Sequence, residues 1–270
     1  MNSSSNFCSF RRSALFGWAV FINFVCFQKL DNQTYMQSVL SYHKITSRVD
    51  FGICTRTPKD FRKDVEFIAA LPSEKRPIVS FDDGYTDTYE AAFPILSEYG
   101  LTGQVFVITD AIGKPNSWDA NFFGEFQHIE LSQVRELAQA GWEIGSHTKT
   151  HRALTVLSLS ALREELETSK WFLEDAIGQP VTSISFPFGK FNEQVLQVCR
   201  EVGYERAISI SRRSQDGFVE RSLAVYRFDR RAHLKAKLNK NKLELWRLQT
   251  INAFSTLTVL MHHINSFNRG

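Results

Sequence analysis

IVSFDDGYTD, residues 78–87, sets an apolar run directly against two adjacent carboxylates, Asp82 and Asp83, with Gly84 following at once. The run PIVSF (77–81) reads as a strand, since β-branched and aromatic residues end abruptly in turn formers. Two like charges a few ångströms apart resist ionising together when buried. A strand that ends in such a pair therefore calls for a cation or for open water at its carboxyl end.

The same pattern recurs on both sides of this stretch. VLSYH (39–43), GQVFVI (103–108), WEIGSH (142–147), VTSISF (181–186) and RAISI (206–210) read as further strands. Between them lie helical patterns. TPKDFRKDVEFIAAL (57–71) has Thr57 as N-cap and Pro58 at the first helical position. DTYEAAFPILSEYG (87–100) is stopped by Gly100, and ELSQVRELAQAG (130–141) carries an apolar face and ends at Gly141. SLSALREELETSKWFLEDAIG (158–178) and NEQVLQVCREVGY (192–204) complete the series. Strands alternating with helices predict a parallel β/α architecture. No GxGxxG follows an early strand, which counts against a dinucleotide-binding sheet. Polar clusters follow several strands instead: Asp82-Asp83, Ser146-His147 and Pro187-Phe188-Gly189. Functional groups at the carboxyl ends of strands are the habit of β/α barrels, so a barrel or partial barrel is the expected fold.

GWEIGSHTKTH (141–151) places His147 and His151 four residues apart, a spacing that would bring both imidazoles to one face of a helical turn. Two imidazoles with one strand-end carboxylate make a three-ligand set for a divalent ion such as zinc, with positions left for water and substrate. Such a cation would also relieve the repulsion between Asp82 and Asp83. In SISFPFGKFN (183–192) the Pro-Gly turn is either a plain strand end or a rigid loop whose N–H groups meet an oxyanion.

SFDDGYTD, GWEIGSHTKTH and ISFPFGKFN, in this order, resemble the first three motifs of the polysaccharide deacetylase family, the NodB-homology domain. VLSYHKI resembles the opening strand of many bacterial members, and the likeness covers roughly residues 37 to 210. The resemblance implies a distorted (β/α) barrel and a metal-dependent hydrolase that removes N-acetyl groups from an N-acetylhexosamine-containing polysaccharide or glycolipid. It implies Asp83, His147 and His151 as ligands of a divalent metal (zinc, with cobalt or another ion as alternatives) and Asp82 as general base. Pro187, Phe188 and Gly189 would form the oxyanion and substrate loop. Two departures stand out. Ser185 occupies the place of an arginine that orients the base in many members. The late Leu-x-His motif, which carries the general acid, finds a counterpart only in Leu260-Met261-His262. An O-acetyl esterase, a hydrolase of another C–N bond on the same barrel, and a non-catalytic glycan-binding module remain alternatives.

The rest of the 270 residues constrains less. Composition is that of a globular protein, and Cys8, Cys26, Cys54 and Cys199 lack ligand-like spacing and read as free thiols. A carbohydrate partner is expected and a nucleic acid is not. The basic run 227–242 reads as a solvated helix face, with an anionic polymer or membrane surface as the sharper alternative. Residues 1–36 hold two arginines before an apolar run from Ala14 to Phe27, which suits an export signal, an anchor or a mistaken start. Export or membrane association is accordingly expected over a cytoplasmic location. Residues 37–270 form the deacetylase-like domain, poorly matched over 212–270. Trp118 is a candidate for stacking on a sugar or plugging the barrel mouth, Trp246 for an aromatic groove, and His43 for a supporting role beside the ligands.

Overall fold

The computed structural model describes residues 37–48, 53–116 and 126–252. Nine strands occur among them: β1 (Val39–Tyr42), β2 (Lys44–Ile45), β3 (Thr55–Arg56), β4 (Ile78–Phe81), β5 (Gln104–Val107), β6 (Glu143–Ser146), β7 (Ser183–Ser185), β8 (Arg206–Ser209) and β9 (Val219–Ala224). Seven of them close a barrel in the order β1-β4-β5-β6-β7-β8-β9, every neighbouring pair parallel, with β9 returning to β1. The expected β/α barrel is therefore present, and β2 and β3 form a small parallel pair beside it.

The helices are α1 (Pro58–Ala69), α2 (Phe93–Glu98), α3 (Leu131–Gln139), α4 (Leu159–Ile177), α5 (Glu193–Val202) and α6 (Arg231–Leu238), with a further helix over 242–252. Thr57, Ser158 and Asn192 cap α1, α4 and α5 through side-chain oxygens that accept from the first turn, satisfying N–H groups that the helix cannot. The helix expected over 87–100 divides in two. A wide turn over Thr88–Ala92 bonds Phe93 N–H to the Thr88 carbonyl, and α2 begins behind it. Pro94 is the physical reason, because it has no N–H to give to Glu90.

Strand alternation sorts the side chains into two layers. Leu40, Val79, Phe81, Val105, Val107, Ile144, Ile184 and Ala207 face the helices and join the main core. Val39, Phe106 and Ile208 form a separate small cluster with Ile78 inside the barrel. The interior is otherwise small and polar: Ser41, Ser80, Ser185 and Ser222 are all buried. Phe106 fills the space beside Gly145, where a Cβ would stand 2.4 Å from the ring. A strand with this parity carries Ile78, Ser80 and then Asp82 to the inside of the mouth.

The stretch after β8 holds what the sequence pattern did not reveal. β9 reads VERSLA, and its polar centre hides the strand. The basic run is only partly a solvated face: Arg230, Arg231 and Lys235 are exposed, but Lys237 is fully buried. Its ammonium is ion-paired to Asp229 and, at 3.3 Å, to Glu244, and Arg247 bridges the same two acids. Next to it Arg56 donates to both oxygens of Asp64 (2.7 and 2.8 Å) and to the carbonyls of Arg227 (3.2 Å) and Asp229 (2.9 Å), tying α1 to the seam between β9 and β1. Among the described residues, no helix is long and apolar enough to cross a membrane. The apolar segment within 1–36 lies outside the described residues.

Candidate active site

At the end of β4 the chain turns through two left-handed residues, Asp83 (φ 69°) and Gly84 (φ 65°). Glycine adopts that conformation freely, whereas at Asp83 it costs energy and needs support. The support comes from the segment before α3. Ile129 N–H donates to the Gly84 carbonyl (2.8 Å), Thr86 N–H to the Gln127 carbonyl (2.9 Å), and His128 Nδ1 meets the Asp83 carbonyl at 3.0 Å. His128 is buried and stacks on Tyr85 at 4.8 Å, and the Tyr85 hydroxyl accepts from Asn116 (2.7 Å).

His147 and His151 follow β6, but not on a helical turn. Thr148 (φ 68°) and His151 (φ 61°) are both left-handed, and no helix forms between them. The i, i+4 expectation is thus corrected: the imidazoles meet through a compact loop, their centroids 4.9 Å apart. Ser146 Oγ accepts from Thr148 N–H (3.0 Å) and bonds Ser169 Oγ (2.8 Å) on α4. Glu165, also on α4, accepts from Thr150 N–H (2.8 Å), and Val107 accepts from His147 N–H (2.8 Å). A loop bonded on both sides can hold conformations that an unsupported one would not.

Asp83 Oδ1 lies 3.3 Å from His147 Nε2 and 3.6 Å from His151 Nε2, and the three potential ligand atoms fall within 4.8 Å of one another. His147 Nδ1 bonds the Ser185 carbonyl at 2.8 Å. A carbonyl can only accept, so Nδ1 carries the proton and Nε2 is the nitrogen turned to the site. Burial opposes charge on His147, yet its hydrogen bond to Asp83 and the nearby carboxylates raise its pKa. Burial likewise works against Asp83 as an anion, but the His147 hydrogen bond and the surrounding imidazoles hold it well below the usual carboxylate range. Burial and the neighbouring His147 keep His151 neutral, pushed down to about 3.

Asp82 sits beside this triad and is 4% exposed. Ser41 Oγ–H donates to its Oδ2 at 2.8 Å, while its buried Oδ1 has no hydrogen-bond partner among the described residues. Two carboxylates, two imidazole nitrogens turned inward and one orphaned oxygen form a donor set that attracts positive charge. The residues present fit a divalent cation.

In the third motif Phe188 is left-handed (φ 59°). Gly189 N–H donates to Phe186 and Lys190 N–H to Pro187, so the Phe188 N–H stands outside the turn's own bonds among the described residues. The Phe188 ring packs edge-on to His151 at 4.8 Å.

Residues 71–207, half of the chain, match the family model described as Polysaccharide deacetylase. The chain belongs to the polysaccharide deacetylase family. It is 32% identical over 185 residues to YxkH of Bacillus subtilis (strain 168), which is classed with these deacetylases; the match covers 67% of this chain and 59% of that protein. It is 26% identical over 159 residues to the poly-beta-1,6-N-acetyl-D-glucosamine N-deacetylase of Staphylococcus aureus (strain MSSA476), covering 54% of this chain and 53% of the other. The chain thus spans between half and three fifths of the length of these relatives. Among solved structures it resembles the Streptococcus pyogenes deacetylase PplD in complex with acetate (TM-score 0.60, 20% identity, 70% of this chain and 92% of that one). It also resembles IcaB from Ammonifex degensii (TM-score 0.59, 19% identity, 70% and 91%). At those identities the likeness is one of fold.

Of the residues that the family resemblance singles out, Asp82, Asp83, His147 and His151 come together, with Phe188 beside them and Pro187 and Gly189 in the same turn. His262 and Trp118 lie outside the described residues. Trp246 is exposed on the helix over 242–252. His43, at the end of β1, is near enough to act electrostatically on Asp83 and His151. Sequence reasoning missed Ser41, His128 and Glu165. Ser41 had a faint signal, a hydroxyl at an inward position of an otherwise apolar strand. Where Ser185 replaces the family's arginine, Ser41 is the group that bonds Asp82.

Proposed function

We propose that this chain is a divalent-metal-dependent hydrolase that removes N-acetyl groups from an N-acetylhexosamine-containing polysaccharide or glycolipid. The observation that carries the reading is the unpartnered Oδ1 of Asp82 set beside the converging Asp83, His147 and His151. A divalent cation, zinc foremost, held by those three side chains would supply polarisation of the acetyl carbonyl and acidify a water beside it. Asp82 Oδ1 takes the proton from the attacking water while Ser41 fixes Oδ2, so only one oxygen is presented to it. The Phe188 N–H faces the oxyanion that forms on the acetyl group. The leaving amine needs a proton, and His262 is the residue assigned to give it. Membrane or extracellular placement through residues 1–36 belongs to the same proposal.

The test is acetate release from N-acetylglucosamine oligomers by the full chain, with zinc or cobalt and with a chelator, in native protein and Asp82→Asn. The expected result is metal-dependent release that falls about 100- to 10,000-fold in Asp82→Asn with metal stoichiometry retained. Release that survives chelation, or an unimpaired Asp82→Asn, would overturn the mechanism. Metal binding without release from any N-acetylated glycan would reject the substrate class.

A further inference from the structure

Beside Phe188 lies a cavity of about 380 Å³. Its walls come from three loops at the carboxyl end of the barrel: Thr155 after the His151 loop, Phe188, Lys190 and Phe191 after β7, and Ser211 and Arg212 after β8. The volume is within the range of small-ligand sites, about 300–1,000 Å³. Because Phe188 also touches His151, a sugar in this cavity would adjoin one at the ligand triad.

The charge of the lining is one-sided. It contains two cations, Lys190 and Arg212, and no acid. Neither side chain forms an ion pair among the described residues, whereas Arg163, Arg200, Arg206 and Arg247 each do. Arg212 is also held in place: its guanidinium lies 4.5 Å from the centre of the Phe191 ring, and one N–H reaches the Phe191 carbonyl at 3.5 Å. Stacking of this kind fixes the plane of the guanidinium and leaves further N–H donors in a fork that matches a carboxylate or phosphate. A neutral sugar would use the aromatic walls but not two unneutralised cations.

Resting on the deacetylase reading above, we infer that this cavity is a subsite for a sugar residue bearing an anionic substituent, next to the residue that loses its acetyl group. The substrate class becomes an acidic glycan, carrying carboxylate or phosphate, in place of a neutral homopolymer. Lys190 and Arg212 select it, with Phe191 as the platform that orients Arg212.

Calorimetric titration of the full chain tests this with three probes of equal length: N-acetylglucosamine tetramer, a tetrasaccharide alternating N-acetylglucosamine with glucuronate, and the tetramer bearing a phosphate. At low salt one acidic probe should bind at least about tenfold more tightly than the neutral tetramer, and the gap should close as salt screens it. In Arg212→Gln that ratio should fall to within about twofold, and Lys190→Gln should lower it partway. Whichever acidic probe gains more names the substituent. Equal binding of all three probes, or a ratio unchanged in Arg212→Gln, overturns the subsite. Acetate release measured on the same probes separates the two ideas. Release without preference for an acidic probe removes the subsite and leaves the deacetylase; selective acidic binding without release from any probe does the reverse.

Discussion

Of the buried charge clusters among the described residues, the one around Lys237 is complete and the one around Asp83 is not. Around Lys237 two acids meet two cations. Asp229 Oδ1 takes Arg247 and its Oδ2 takes Lys237 and the Tyr226 N–H, while Glu244 Oε1 and Oε2 both receive Arg247. Every carboxylate oxygen has a donor and the formal charges cancel. Around Asp83 two acids meet two imidazoles, of which His151 is held neutral, and one oxygen of Asp82 has no hydrogen-bond partner among the described residues. Burying ions is worthwhile only when geometry and hydrogen bonds satisfy them. The first cluster meets that condition from its own residues and serves the seam of the barrel. The second does not meet it from its own residues, and that shortfall is what the proposed cation would make good.

The sharpest way to break the comparison is to make the complete cluster incomplete. Lys237→Ala leaves Asp229 and Glu244 facing each other with one cation between them. Removing one partner of a buried ion pair costs about 3–5 kcal/mol. Urea denaturation should show that loss, while metal stoichiometry and turnover per folded molecule stay near native. A stability change within about 0.5 kcal/mol, the range of ordinary surface substitutions, would mean that the network contributes nothing as a unit.

Smaller effects are expected where the second cluster is loosened without touching its ligands. His128 bonds the backbone of Asp83, a proposed ligand held in a left-handed turn. His128→Ala should weaken metal affinity about 10- to 100-fold, the usual size for a group that orients a ligand. His128→Asn, whose amide can donate from nearly the same place as Nδ1–H, should recover most of it. Equal defects in both variants would assign His128 to packing alone. Ser41→Ala should lower kcat about tenfold by releasing Asp82 Oδ2, since a hydrogen bond to a charged group contributes about 1.5–3 kcal/mol. Metal affinity should hardly move, and a loss of affinity equal to the loss in kcat would show that Ser41 supports the ligands instead of the base.

What could be read in advance follows the same division. The parallel alternation was legible because six of the seven barrel strands are apolar enough to stand out between helical patterns. β9 was not, because Glu220, Arg221 and Ser222 interrupt it, and Glu220 faces Arg206 on the neighbouring strand β8 at 3.9 Å. The four site residues were legible as types and in order, since adjacent acids at a strand end have few other uses. Their geometry was not: the spacing of His147 and His151 suggested a helical turn, and the loop depends on Glu165 and Ser169 from a distant helix. Nor could composition reveal that one lysine in a basic run is fully buried. Burial of Lys237 is decided by two acids that no local pattern ties to it.

The last prediction uses pH to separate the clusters. Burial alone would raise the pKa of Asp229, but Lys237, the Tyr226 N–H and Arg247 lower it overall from 3.8. Glu244 is lowered from 4.5 in the same way, burial opposing and Arg247 and Lys237 prevailing. A carboxylate with a depressed folded pKa contributes stability that is present above its unfolded value and lost as pH falls through the folded one. In native protein this contribution is therefore intact above pH 4.5, and declines below 4.5 for Glu244 and below 3.8 for Asp229. In Lys237→Ala burial has less to oppose it, so Asp229 titrates higher and the variant is relieved by protonation before native protein begins to suffer. Both effects narrow the stability gap between the two proteins on acidification. Denaturation curves of the pair at several pH values measure that gap directly. A gap that stays constant or widens towards acid would mean that Asp229 and Lys237 do not share their charge, and the contrast with the Asp83 site would lose its electrostatic basis.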